Sequence, residues 1–380
     1  MRRGHPWVFR DALIRPPALA SGAALSLVDE AGQHLGVGLW DENSPIAVRV
    51  FGSSNNNKPI DARTLAERIE AAFARRNGLF GEETNAYRLC NGEGDHVPGL
   101  VIDKYTHVAV VRLDGEHLEP WIDPLLPHLE RLLTKQGVHS IVLRKARDEQ
   151  GERRFDVIAG QTPPDRLLVR ENGMVMEVDL ARGQKTGAFL DQRDNRARVR
   201  ALALGMKDAR VLNLYSYTGG FSLAAALGGA AHVTSVDVAS AAHATAQRSF
   251  RENGIDASTH AFVTADVFAF LEAAERRRDL FDIVISDPPS FAPNERSKQR
   301  ALVAYRKLHG ALGRVLKKGG TICAASCSSH ISMEDFLTTL DEAALGRDDL
   351  SMLGAFGPPP DHPTLPAWFE GRYLKLVMLR

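Results

Sequence analysis

The chain has 380 residues, more than one hydrophobic core usually serves, so two or three globular domains are expected. With 44% hydrophobic and 25% charged residues it is neither fibrous, collagenous nor disordered, and no stretch approaches the ~20 apolar residues of a membrane helix. Lys plus Arg (47) balance Asp plus Glu (47), so any attraction to a polyanion has to come from local patches.

Gly4-His5-Pro6-Trp7 stands where an export signal would carry an apolar run, which fits a reducing, cytoplasmic compartment. Short strands are predicted at Ala24–Val28, Leu35–Trp40 and Ile46–Phe51, punctuated by Gly32, Gly36, Gly38 and Pro45. They make a small β-rich module of residues 1–60. A polar stretch over residues 52–59 leads to Asp61, an N-cap, and to a helix whose apolar positions Leu65, Ile69 and Phe73 recur every four residues. Strands follow at Leu100–Asp103, His107–Leu113, Ser140–Arg144, Phe155–Ala159 and Met174–Val178, with one helix around Trp121–Leu133. Residues 61–180 therefore read as a second, α+β module.

Beyond it, in residues 181–380, strand and helix alternate. The strands are Arg210–Tyr215, His232–Val238, Ala261–Asp266, Phe281–Asp287 and Thr321–Ser326; helices near Leu223 and at Ala241–Glu252, Val267–Arg278, Arg300–Leu316 and Met333–Ala344 separate or follow them. This is the pattern of an α/β, doubly wound, mostly parallel sheet. Two last apolar runs, Leu350–Phe356 and Tyr373–Leu379, are joined by a proline-rich connection unsuited to a crossover helix, and an antiparallel pair at one sheet edge is expected.

The loop after the first of these parallel strands reads Asn213-Leu214-Tyr215-Ser216-Tyr217-Thr218-Gly219-Gly220-Phe221. Ligands of open α/β sheets lie beyond the carboxyl ends of the strands, where glycine admits a close approach and a helix N-terminus offers free N–H groups. The loop is therefore a cofactor-site candidate. Adjacent Gly219 and Gly220 break the Gly-x-Gly-x-x-Gly spacing, which disfavours a dinucleotide-dependent oxidoreductase. Asp237 ends the second strand, where a carboxylate can accept from two ribose hydroxyls. Asp266 and Val267 end the third, a position suited to an adenine ring, although a lone aspartate there reads equally as the N-cap of the next helix. The fourth strand ends in Asp287-Pro288-Pro289-Ser290, whose paired prolines deny a helical exit and hold Asp287 toward the cleft.

Taken together, these motifs resemble those of class I S-adenosylmethionine-dependent methyltransferases. The upstream segment Gly183-Gln184-Lys185-Thr186-Gly187-Ala188-Phe189-Leu190-Asp191-Gln192-Arg193, with Pro6 to Phe9 at the start and Ser326-Cys327-Ser328 near the end, resembles one branch of them. That branch is the bacterial large-subunit (23S) ribosomal RNA cytosine-5 methyltransferase I family. The resemblance implies an N-terminal PUA-like RNA-binding domain, a central α+β domain and a C-terminal Rossmann-like catalytic domain, with S-adenosyl-L-methionine as cofactor and a homodimer as the assembly. It implies cofactor contacts from Thr186, Gly187, Phe189, Asp191 and Arg193. Further contacts are implied from Asn213, Tyr215, Tyr217, Thr218, Gly219 and Phe221 in the loop, and from Asp237, Val238, Ser240, Asp266, Val267, Asp287, Pro288 and Pro289 at the following strand ends.

Carbon 5 of a pyrimidine is a poor nucleophile, and a thiolate adding to carbon 6 activates it. Cys327, just past the fifth strand, is the candidate for that thiolate, with Asp287 as the group that steadies the polar edge of the base. Cys323, in an apolar run, reads as a core residue, and Cys90 has no evident partner. Neither the count nor the spacing of the three cysteines makes a disulfide framework or a zinc cage, and no metal is expected. A uracil carbon 5, a purine nitrogen, or a non-catalytic RNA-binding scaffold remain as alternatives. For the RNA itself two basic concentrations stand out: Arg296, Lys298, Arg300, Arg306, Lys307, Arg314, Lys317 and Lys318, and Arg182, Lys185, Arg193, Arg196, Arg198 and Arg200.

Overall fold

The computed structural model describes residues 4–53, 58–147 and 153–380; residues 54–57 of the predicted polar stretch lie outside the described residues. Two compact units form. The first comprises Met1–Arg170, Val178–Leu190 and Pro360–Gly371, and the second Glu171–Glu177, Asp191–Pro359 and Arg372–Arg380. Among the described residues no helix is long and apolar enough to cross a membrane.

The first unit begins with strands β1 (Trp7–Phe9), β2 (Ala24–Val28), β3 (His34–Trp40) and β4 (Ile46–Ser53), an antiparallel sheet in the order β1-β4-β3-β2. At Gly38 the β3–β4 register shifts, and a Cβ there would lie 2.5 Å from Val48 Cγ1 and 2.6 Å from the Arg49 carbonyl. Only glycine fits that bulge. Helix α1 (Ala62–Ala74) starts where predicted: the Asp61 carboxylate accepts the Thr64 N–H and the Thr64 hydroxyl accepts the Asp61 N–H. Strands β5 (Ala86–Asn91), β6 (Leu100–Tyr105), β7 (Val108–Leu113), β8 (Ser140–Arg147) and β9 (Arg153–Ala159) form a five-stranded sheet in sequence order. Its one parallel pair, β7 with β8, is bridged by α2 (Ile122–Thr134). The apolar faces of α1 and α2, Leu65, Ile69, Phe73, Leu125, Leu129 and Leu132, share one core with Leu89, Ile102 and Val111 of the sheet.

A two-stranded sheet, β10 (Leu167–Glu171) and β11 (Met174–Val178), turns at Asn172-Gly173, both at positive φ (49° and 76°). Asn-Gly is the sequence that the inverted two-residue hairpin turn demands.

The second unit is built on α3 (Arg193–Leu204), β12 (Arg210–Leu214), α4 (Gly220–Leu227), β13 (His232–Asp237), α5 (Ser240–Glu252), β14 (Ala261–Thr264), α6 (Val267–Arg277), β15 (Phe281–Ser286), α7 (Lys298–Val315) and β16 (Leu316–Ser326). After β16 come α8 (Met333–Thr339), α9 (Asp341–Ala344), β17 (Met352–Phe356) and β18 (Lys375–Leu379). The sheet order is β14-β13-β12-β15-β16-β18-β17, with β12 to β16 mutually parallel and β18 antiparallel to both of its neighbours. The expected antiparallel edge pair is therefore present. The single helix expected over Met333–Ala344 is broken at Leu340, where the Thr339 hydroxyl donates back to the Phe336 carbonyl at 2.6 Å and competes with the helical ladder. One face of the sheet packs on α6, α7 and α8 through Leu271, Leu308, Leu312 and Phe336, and the other on α3 and α4 through Val199, Phe221 and Ala225. From β12 the chain winds outward through β13 and β14, then returns to the other side of β12 for β15 and β16. The crevice at this reversal is where such sheets hold ligands.

Candidate active site

The five parallel strands bring their carboxyl ends to one edge. Leu214 of β12 is in register with Val236 of β13 and Ser286 of β15, Asp237 with Thr264 of β14, and Ser286 with Ala324 of β16. The predicted positions 215–219, 237–240, 266–267, 287–289 and 327 therefore follow one another along a single rim.

The loop after β12 is held in an unusual conformation. Tyr215 (φ 56°) and Tyr217 (φ 45°) both adopt left-handed backbone that tyrosine rarely takes, and Gly219 (φ 75°) could carry no side chain, since its Cβ would meet Ala246 Cβ at 2.7 Å. The surroundings impose this. Ser216 N–H donates to the Val236 carbonyl at 3.0 Å and Gly219 N–H to the Ser216 carbonyl at 2.8 Å. The Asp237 carboxylate accepts the Tyr217 N–H at 2.8 Å with one oxygen and the Ala239 N–H at 2.9 Å with the other. No side chain caps α4, so its first N–H groups are offered to the rim beside half-buried Thr218.

Three of the expected contacts turn inward instead. Asn213 is 1% exposed and donates to the Ser222 hydroxyl, which pairs in turn with Ser235 at 2.7 Å, so its side chain braces the loop from below. Phe221 packs against the core of the α3–α4 face, and Val267 against Leu271 and Ala274 on the opposite face. Only their backbones reach the rim. Asp266 is exposed and caps α6, accepting the Ala269 N–H at 3.0 Å, while Val238 (71% exposed) and Ser240 stand open at the start of α5.

The upstream motif is divided. Thr186, Gly187 and Phe189 fall in the first unit, Asp191 and Arg193 in the second. The Thr186 hydroxyl is fully buried, donating to Asp103 at 2.6 Å and bonded to Tyr105 at 2.8 Å, and Gly187 (φ 147°) lies against Val178 and Leu180. Phe189 lies under the Lys185 ammonium at 4.6 Å. In the second unit buried Asp191 accepts the Tyr373 hydroxyl at 2.7 Å, and Arg193 is itself buried beside Asp194.

At the end of β15 the Asp287 carboxylate accepts the side-chain amide of Gln192 at 2.8 Å, and the Gln192 oxygen accepts from Asn195 at 2.6 Å. Sequence reasoning stopped at Asp191 and Arg193 and missed Gln192. Pro288 is buried and Pro289 exposed. The half-buried Cys327 lies on this loop, with Sγ 3.8 Å from the Pro288 carbonyl. Hydroxyls continue from it: Ser290 to Ser328 at 3.0 Å, Ser328 to Tyr305 at 3.2 Å, and Tyr305 to Ser326 at 2.9 Å. Burial raises the Tyr305 phenol to about 12, so it remains a donor. Cys323 and Cys90 are fully buried and their thiols pushed up by desolvation, that of Cys323 to about 12. Phe291 and Tyr215 meet edge to face at 6.5 Å and pack on the core rather than standing clear as stacking platforms.

Of the two basic concentrations, the second is partly structural, because Arg196 is buried in a bidentate pair with Glu171 at 2.6 and 2.7 Å and Arg193 is buried as well. The first divides along α7. Toward its end Arg314 pairs with Glu275, Lys317 with Asp282 and Lys318 with Asp348, and Lys298 pairs with Asp335. Arg296, Arg300 and Arg306 are exposed and make no ion pair among the described residues. They lie nearest the rim, because α7 begins at the strand ends and runs back.

A nucleoside with a sulfonium tail fits this rim. The uncapped α4 terminus and the loop backbone could donate to polar oxygens, the Asp237 carboxylate could accept from hydroxyls, and open Val238 could lie against a base. A family model described as S-adenosylmethionine-dependent methyltransferase matches residues 127–375, and one described as PUA-like domain matches residues 1–52. A ribosomal RNA large subunit methyltransferase of Deinococcus radiodurans is 38% identical over 395 residues, covering 100% of this chain and 94% of its own. A ribosomal RNA large subunit methyltransferase I of Alteromonas mediterranea is 36% identical over 99% of this chain and 94% of its own. A crystallised methyltransferase complexed with SAH superposes with a TM-score of 0.85 at 26% identity, covering 100% of this chain and 96% of its own. A methyltransferase structure from Streptococcus mutans, at 24% identity and a TM-score of 0.84 with the same coverage, shares the fold. The family resemblance, the fold and the cofactor expected from the motifs are thus borne out, and the chain belongs to the S-adenosylmethionine-dependent methyltransferases, with a PUA-like domain at its N-terminal side.

Proposed function

We propose that the protein methylates carbon 5 of a cytosine in large-subunit ribosomal RNA, with Cys327 as covalent nucleophile. The observation that carries this reading is the half-buried Cys327 thiol, seated at 3.8 Å on the Pro288 carbonyl of the loop that carries Asp287. The cofactor supplies an electrophilic methyl group on a sulfonium. The loop 215–219, the α4 terminus, Asp237, Val238, Ser240, Asp266, Asp287, Pro288 and Pro289 would hold it.

The residues of the chain do the rest. Cys327 Sγ bonds to carbon 6 of the flipped base, and the electrons of the 5,6 double bond make carbon 5 nucleophilic. Asp287, its carboxylate oriented by Gln192, steadies the polar edge of the base as charge develops. Once carbon 5 carries the methyl group, its proton passes to solvent water, the carbon–hydrogen electron pair re-forms the 5,6 double bond, and the carbon–sulfur bond breaks to return the Cys327 thiolate. The test is nucleoside analysis of unmodified large-subunit RNA incubated with the protein and S-adenosylmethionine. One new 5-methylcytosine is expected; a methyl group on uracil carbon 5 or on a purine nitrogen overturns the assignment.

RNA has two surfaces to meet. In the first unit a groove of about 760 Å³ beside β4 and α1 is lined by Phe51, Lys58, Arg68 and His96, among others, with the Arg68 guanidinium 5.6 Å over the Phe51 ring. Cations along a groove suit the phosphate backbone of an unpaired strand. In the second unit Arg296, Arg300 and Arg306 reach phosphates. Replacing these three by alanine is expected to weaken binding of a large-subunit RNA fragment at least tenfold. The slope of log Kd against log salt should fall by about 2, as expected for three lost phosphate contacts, with binding of S-adenosylhomocysteine unchanged.

A further inference from the structure

The apolar run predicted at Tyr373–Leu379 contains one lysine, and the structure buries it. Lys375 in β18 is the register partner of Ser326, the last residue of β16, and is 2% exposed. Its ammonium donates to the carbonyls of Ser328 at 2.9 Å, Ile331 at 2.7 Å and Tyr373 at 2.8 Å, which uses all three of its N–H bonds. Two of these carbonyls belong to the turn that begins with Cys327. A buried ammonium usually has a carboxylate beside it. Among the described residues Lys375 has none in ion-pair contact, and Asp335 of α8, a carboxylate whose charge reaches it, is paired with Lys298 at 2.8 Å and bonded to Ser332.

We propose that Lys375 is the positioning residue of the nucleophile: it ties the turn after β16 into one conformation and supplies the positive charge against which a Cys327 thiolate forms. This rests on the reading of Cys327 as nucleophile. Carbonyl oxygens fix the ammonium but do not neutralise it, so the thiolate is the anion that the arrangement lacks. Burial draws Lys375 down to about 8, while Cys327 and Asp335 act in the opposite direction. Loss of the thiol proton to solvent therefore also holds the proton on Lys375. Beside the turn, Tyr305 feels the charge of both Cys327 and Asp287, and His330 pairs with Glu295 at 3.3 Å. Asp287 and Tyr305 bring no positive charge to the turn, and Lys375 does.

The test is alkylation of Cys327 by iodoacetamide, followed by peptide mass spectrometry between about pH 5 and about pH 10. In the unaltered protein the midpoint is expected clearly below the value of about 8.5 for free cysteine; a midpoint at or above that value overturns the proposal without any variant. Lys375→Met is expected to raise the midpoint by at least one pH unit and to lower kcat more than tenfold, with affinity for S-adenosylhomocysteine within twofold. Lys375→Arg, which keeps the charge, is expected to restore most of the midpoint. Folded Lys375→Met with an unmoved midpoint overturns the proposal even if turnover falls. Failure of the nucleophile reading shows separately, as methyl transfer surviving in Cys327→Ala, because alkylation needs neither RNA nor turnover.

Discussion

Cys327→Ala is expected to lower methyl transfer to large-subunit RNA by at least about 10³-fold, equivalent to ~4 kcal/mol of lost transition-state stabilisation. The size follows from the chemistry assigned to the thiol. An unactivated pyrimidine carbon 5 has no electron pair to offer, so removing the group that adds to carbon 6 removes the reaction path itself rather than one of several contributions to it. The fold should tolerate the change, because the side chain is half-buried, its S–H contact to the Pro288 carbonyl is a long 3.8 Å, and the Ser290–Ser328–Tyr305 hydroxyls stay in place. Cys327→Ser should be as inactive, since a hydroxyl near neutral pH supplies almost no alkoxide. The measurements are single-turnover transfer of labelled methyl and calorimetry with S-adenosylhomocysteine. A binding constant within twofold of the unaltered protein, alongside the lost rate, is the expected pair of results. Full activity in Cys327→Ala moves the acceptor to a ring or exocyclic nitrogen, where no covalent activation is needed.

The parallel core of the second unit was readable in the sequence for a physical reason. Strands buried on both faces carry continuous apolar runs, and Ile283-Val284-Ile285 of β15 and Ile322-Cys323-Ala324-Ala325 of β16 read as such. One strand was hidden by a buried charge. β5 is interrupted by Arg88, which the structure buries against Asp103 at 2.8 and 2.9 Å, and a paired guanidinium inside a strand has the same sequence signature as an exposed one. The opening of β16, Leu316-Lys317-Lys318-Gly319-Gly320, was hidden because its exposed lysines and paired glycines break the apolar run. The strand β10 was missed although Asn172-Gly173 announced its turn.

At the rim, motif spacing located the strand ends but not the direction of each side chain. For two positions the direction was available from periodicity: Phe221 and Ala225, and Val267, Leu271 and Ala274, are spaced as core stripes of α4 and α6. Asn213 carried no such signal, because its orientation depends on Ser222 and Ser235 from two other elements. Lys375 was invisible for the same reason. Its role depends on register with β16 across an antiparallel pair, which no local pattern records.

Asp287→Asn is expected to lower kcat by about 10²- to 10³-fold while leaving affinity for S-adenosylhomocysteine within about threefold. The argument starts from Gln192, which is 2% exposed. Its oxygen is engaged by the Asn195 amide at 2.6 Å, and the Asn195 oxygen accepts from Arg198 at 3.3 Å, so the Gln192 amide N–H can point only toward Asp287. An asparagine at 287 keeps the volume, and to go on accepting from Gln192 it has to turn its oxygen that way. Its NH2 group then stands where the carboxylate had presented an oxygen to the base, so a donor meets the exocyclic amine of cytosine and the negative charge that steadies the adduct is gone. Gln192→Leu should reproduce part of the loss by removing a hydrogen bond that orients the carboxylate, with Asp287 still charged, and its kcat should therefore fall between those of the unaltered protein and Asp287→Asn. Near-normal kcat in folded Asp287→Asn would remove this residue from the chemistry and reduce the Asp-Pro-Pro loop to a wall of the crevice.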